Sequence, residues 1–228
     1  MKRILVVSGV VAALALGGWF LAGEKGQFVV GGALINLGYR LQDPVSNFDF
    51  AHEHLAPPQI WEQFLTQNHM AAQVRQKWPR TSRHPVIALV TCMDARLDTN
   101  EIAGDTRRYY YVLRLAGSVL SVKEEEMLEL AVDNGVEVVV FTTHTDCAAE
   151  KASKDPAKRL KYPQLTRAID EREARFEEFL ARPTIREKAA GGHLLVKWMD
   201  LDTATERVLP HKAAGRSFRR LPNFAEPL

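Results

Sequence analysis

Two short apolar runs rich in β-branched residues constrain this chain most: "VIALVT" from Val86 and "VEVVVFTT" from Val136. Each is too short for a helix and is bounded by turn residues, so each reads as a buried strand. A third strand, "YYYVLRLAG", and a helix, "KEEEMLELAVDNG", closed by Gly135, lie between them. The acidic run Glu124 to Glu126 marks that helix's first turn, where negative charge suits the helix dipole. Apolar strands that alternate with helices predict an α/β fold with a mainly parallel sheet flanked by helices on both faces. A helix, "QIWEQFLTQNHMAAQVRQKW", precedes the first strand. Beyond the charged helical stretch "DEREARFEEFLARPTIREKA", the segments "HLLVKWMDLD" and "ERVLP" read as a closing hairpin around "TAT".

With 228 residues, 46% hydrophobic and 25% charged, the chain has material for one good-sized core. Net charge is only +2, and basic residues are interspersed with acidic ones, so no nucleic-acid partner is expected. At the amino terminus Lys2 and Arg3 precede an uncharged run from Ile4 to Ala22. That run is long enough to cross a bilayer core, with the positive residues left in the cytoplasm and the remaining chain outside. The competing reading is a signal peptide cleaved after Ala13-Leu14-Ala15, which would release a soluble exported protein. The expected organisation is therefore a membrane anchor or signal segment over 1–25 and a linker over 26–58, followed by a folded domain over 59–210 and a basic tail over 211–228. His52 and His54 fall in the linker as solvated residues.

In a parallel sheet the residues that follow the two apolar strands meet at the carboxyl edge, where open α/β sheets carry their sites. Those residues are Cys92 in "LVTCMDARLD", and His144 and Cys147 in "FTTHTDCAAE". Two thiolates and an imidazole suit Zn²⁺, and three protein ligands leave one position open. The same residues also fit inert buried thiols with a core histidine, or a disulfide across the sheet edge in an exported domain. A phosphatase-type C-x5-R loop fails on spacing, because Asp98 stands where the arginine should be.

"CMDAR" followed by "HTDC" resembles the β-class carbonic anhydrases, whose signature pairs C-x-D-x-R with H-x-x-C. The likeness extends over about residues 60 to 210 and takes in "LRLAG" and "GGHLLVKWMDLDTATERV". The resemblance implies a zinc lyase that interconverts CO₂ and bicarbonate through a zinc-bound hydroxide, with Cys92, His144 and Cys147 as metal ligands. It implies catalytic roles for Asp94, which accepts a hydrogen bond from the nucleophile or swings in as a fourth ligand, and for Arg96, which holds Asp94 outward. It further implies a homodimer or tetramer. Two departures stand out: Ala148 replaces the usual glycine after the motif's cysteine, and Leu115 replaces the usual asparagine. They motivate two alternatives, a non-catalytic zinc protein of the cell envelope and a hydrolase of carbonyl sulfide or carbon disulfide. His193 and His211 are candidate proton shuttles that no motif places.

Overall fold

The computed structural model describes residues 18, 22–42, 56–79 and 84–211. The chain divides into two compact units, residues 1–80 and 81–228. The helix over 59–78 falls in the first unit and the predicted strands in the second.

In the first unit, helix α1 spans Glu24–Gln42 and α2 spans Pro57–Lys77. Helix α1 lies where a linker was expected. Gly31, Gly32 and Gly38 read as turn punctuation, but each is tolerated inside a helix at about 1 kcal/mol relative to alanine. Phe28, Leu34 and Leu41 leave α1 apolar and exposed on several sides. Among the described residues no helix is long and apolar enough to cross a membrane, and nearly all of the proposed anchor, like His52 and His54, lies outside them.

The second unit runs β1 (Ile87–Cys92), α3 (Thr99–Ala103), α4 (Thr106–Tyr109), β2 (Tyr110–Leu115), a 3₁₀ turn (Ala116–Ser118) and α5 (Val122–Asp133). It continues with β3 (Val138–His144), α6 (Ala148–Lys154), α7 (Pro156–Lys161), α8 (Pro163–Ala181), α9 (Pro183–Ala190), β4 (Leu195–Leu201) and β5 (Val208–Pro210). The five strands form one sheet in the order β2-β1-β3-β4-β5. All pairs are parallel except β4 with β5, which form the expected hairpin. Helix α5 starts at a capping box: the Glu124 carboxylate accepts from the Ser121 amide at 2.9 Å and from its hydroxyl. It ends before Gly135, whose φ of +105° only glycine adopts without strain.

Residues of one parity, Ala88, Val90, Val139, Phe141, Val196 and Trp198, belong to the main core. Helix α8 brings Phe176 and Phe179 onto them. Phe141 meets Phe176 edge to face at 4.7 Å, and Phe176 meets Trp198 in the same way at 4.7 Å. Of the other parity, Leu89, Thr91, Thr142 and Leu201 are buried, while Val138, Val140, Lys197 and Met199 are half-buried. Apolar composition alone does not reveal which side of a strand a helix occupies.

Candidate metal centre

Strands β1 and β3 are parallel neighbours, with Val90 opposite Phe141, so both end at the same edge of the sheet. Cys92 is the last residue of β1 and His144 the last of β3. From His144 the chain turns through Asp146, at φ +63°, to Cys147, which is the N-cap of α6. Cys92, His144 and Cys147 are all buried, and their ligand atoms lie within 4.8 Å of one another. Leu97 and Leu201 pack against the two cysteines, with Ile102 and Ala149 alongside. Both thiols are free, so the disulfide reading does not hold in this structure.

The imidazole is oriented for a ligand. Nδ1 of His144 lies 3.0 Å from the Thr145 carbonyl, which only accepts, and 3.1 Å from Thr203 Oγ1. Nδ1 therefore carries the proton and Nε2 the lone pair. That Nε2 is buried with no hydrogen-bond partner. An orphaned nitrogen facing two sulfurs is what a tetrahedral soft-donor metal site requires, so the set fits zinc.

Electrostatics favour ligation as well. The Cys92 thiol is lowered to about 6, chiefly because Cys147 donates a hydrogen bond to it, with help from the amides of Asp94 and Gly117. Cys147 is pushed up to about 12, first by that same shared proton and then by burial. One thiolate thus stands ready, and a cation arriving between the sulfurs would displace the second proton. His144 is raised by its proximity to Cys147.

Asp94 stands outside this group of ligand atoms and is clamped. Its Oδ1 accepts from the Arg96 amide at 3.1 Å and from Nε at 3.0 Å, and its Oδ2 accepts from Nη2 at 2.8 Å. The guanidinium holds the Asp94 carboxyl far below the ordinary carboxylate range. In this arrangement the carboxylate is not among the gathered ligand atoms. Arg96 has a second anchor: Nη1 donates to Asp146 Oδ2 at 2.9 Å and Nη2 to the Asp146 carbonyl at 3.1 Å. Asp146 also pairs with Lys151. Arg114 Nη2 donates to the Asp94 carbonyl at 2.6 Å.

Asp146, Arg114 and Thr203 were not singled out from sequence. Asp146 stood in plain view inside "HTDC", but its partner lies 50 residues earlier. The histidines offered as shuttles sit elsewhere. His193 precedes β4 at the amino edge of the sheet, opposite the metal edge. His211 pairs with Asp200 at 2.7 Å and stacks on Trp198, and Asp200 bonds Thr143, whose parity is opposite to that of His144. Ala148 is exposed, so its methyl does not fill the buried cluster. Leu115 packs against the main core, and its carbonyl accepts the Met93 amide at 3.0 Å.

A family model described as carbonic anhydrase matches residues 87–203. The chain is 36% identical over 81 residues to the proteins named beta-carbonic anhydrase 1 from Mycobacterium bovis and Mycobacterium tuberculosis, covering 34% of this chain and 47% of theirs. It thus spans about half the length of the curated relatives it matches. Among solved structures it is similar to a tetrameric β-carbonic anhydrase of Sordaria macrospora, at a TM-score of 0.51 and 19% identity over 67% of this chain and 96% of that one. It is also similar to the β-carbonic anhydrase CafA of Aspergillus fumigatus, at 0.52 and 18% over 68% and 92%. These two likenesses speak for the fold.

Proposed function

Because the chain belongs to the carbonic anhydrase family, we propose that it catalyses the reversible hydration of CO₂ to bicarbonate at a zinc ion held by Cys92, His144 and Cys147. The observation that carries this reading is the buried ligand set with the unpartnered His144 Nε2 at its centre. When bound, zinc supplies the Lewis acidity that lets water ionise near neutral pH. The protein's own residues do the rest. Thr203 and the Thr145 carbonyl hold the imidazole in the ligating tautomer. The amides of Asp94 and Gly117 stabilise the negative charge on Cys92. Arg96 keeps Asp94 ionised and aimed, so that the carboxylate can accept a hydrogen bond from the attacking water and fix its orientation.

Purified protein assayed for CO₂ hydration against its own Cys147→Ser variant tests this function. Zinc-dependent hydration in the wild type and its loss in the variant is the expected pair. Equal background rates in both would leave only a structural zinc protein, the reading that Leu115 motivates.

We also propose that Ile4 to Ala22 anchors the protein in the membrane with its folded domain outside the cytoplasm, which Lys2, Arg3 and the uncharged run support. Retention in the membrane fraction through a carbonate wash is the expected result, and a soluble mature protein beginning near Leu16 would refute it. Assembly as a homodimer or tetramer is proposed by analogy with the tetrameric Sordaria enzyme. The half-buried Val138, Val140 and Met199 are in keeping with it.

A further inference from the structure

Resting on the zinc reading above, we propose that Arg172 of α8 is the positioning residue of the metal centre, joining the turn that supports Cys92 to the helix that presents Cys147. Its Nη1 donates to the Gly117 carbonyl at 3.2 Å and to Glu150 Oε1 at 2.7 Å. Both acceptors belong to segments that touch a ligand. Gly117 lies two residues past Leu115, the partner of Cys92 in the β1–β2 register. Glu150 lies in the first turn of α6, whose N-cap is Cys147. One guanidinium thus connects the turn that follows Cys92's strand partner Leu115 to the helix turn that starts at Cys147, although the residues it joins are 33 positions apart in sequence (117 and 150).

The turn needs such support. Gly117 and Ser118 are consecutive residues at positive φ, +61° and +58°. For serine that conformation costs on the order of 1 kcal/mol and persists only when neighbours impose it. Helix α8 imposes it twice from one face. Ile169 closes the space beside Gly117, where an added Cβ would meet Ile169 Cδ1 at 2.1 Å. Arg172, three residues on, holds the Gly117 carbonyl. Ser118 Oγ and Arg172 Nε are buried without partners. Both residues line a cavity of ≈ 10 Å³, room for one water that can bridge them. The Arg172 side chain is only 18% exposed and lies over the Trp198 ring, so its geometry is fixed from several sides.

The test measures zinc affinity by chelator competition, and the thiolate-to-metal charge-transfer band of the cobalt-substituted protein, in full-length wild type, Arg172→Ala and Arg172→Lys. Phe179→Leu, a fully buried core change on the same helix, serves as a stability control. Removing a group that orients metal ligands costs about 10- to 100-fold in metal affinity. Arg172→Ala should therefore bind zinc at least tenfold more weakly with an altered charge-transfer band, Arg172→Lys should fall between, and Phe179→Leu should lower the melting temperature without moving the zinc Kd. Wild-type affinity in Arg172→Ala, or an equal loss in Phe179→Leu, would overturn the proposal. If Arg172→Ala does not fold, wild-type affinity and spectrum in Arg172→Lys would overturn it just as well. Tight zinc binding in every variant removes Arg172 alone and leaves the function standing, whereas absence of zinc binding in the wild type removes both.

Discussion

Replacing Asp94 by asparagine exchanges one carboxylate oxygen for an NH₂ group and leaves every metal ligand in place. In the wild type, Oδ1 receives two Arg96 N–H groups and Oδ2 receives a third. An amide has one oxygen to offer, so whichever way it turns, an Arg96 donor faces another donor. The fork loses an arm and its charge balance. Because the Arg96 side chain is 48% exposed, water replaces much of that attraction, and Asp146 still holds the guanidinium. Zinc content and melting temperature should therefore stay close to wild type. Hydration should not. If Asp94 takes the hydrogen bond that orients the attacking water, the rate should fall by about 10²-fold or more, equivalent to about 2.7 kcal/mol in the barrier. Stopped-flow hydration normalised to zinc content, with the melting temperature read on the same preparation, gives the answer. Unchanged turnover at full metal occupancy would refute the reasoning and reduce Asp94 to a structural partner of Arg96.

Thr203→Val removes the hydroxyl beside His144 Nδ1 and should weaken zinc binding about tenfold, measured by chelator competition, with little change in the apo-protein's fold. Gly117→Ala should lower the melting temperature strongly, since its Cβ collides with Ile169 Cδ1 and φ is +61°. Adding Ile169→Val should recover the steric part and leave the conformational cost of about 1 kcal/mol. Glu125 is buried, and burial raises its carboxyl above the ordinary value despite Arg175 at 2.9 Å and Arg182. A carboxyl raised on folding stabilises fully below its unfolded pKa, and that contribution is lost as pH rises through the folded value. The stability of wild type relative to Glu125→Gln should therefore decline from about pH 4 toward neutrality, and a flat or rising difference in thermal melts would contradict the assignment.

The strands and the metal cluster were legible because each ligand follows a run whose composition already marks a buried parallel strand. Cys92 and His144 meet because β1 and β3 are adjacent and parallel, which alternation with helices foretells. What supports those ligands was not legible. Asp146 looked like filler within H-x-x-C, and its work depends on Arg96 far back in the chain. Arg172 sits in a charged helix with Arg167 and Arg175, and nothing in the local sequence distinguishes it from them. Its partner Gly117 lies 55 residues away. Helix α1 was missed because glycine is read as a turn residue, and three of them interrupt an apolar stretch that is helical all the same.

Zinc content of the intact protein tests the central claim most directly. Among the described residues Cys92, His144 and Cys147 form one ligand set. Protein purified without exposure to chelators should carry close to one zinc per chain, and the Cys147→Ser variant should carry much less. A wild-type stoichiometry well below one, unchanged after incubation with zinc and dialysis, would contradict the metal centre and the hydration chemistry built on it.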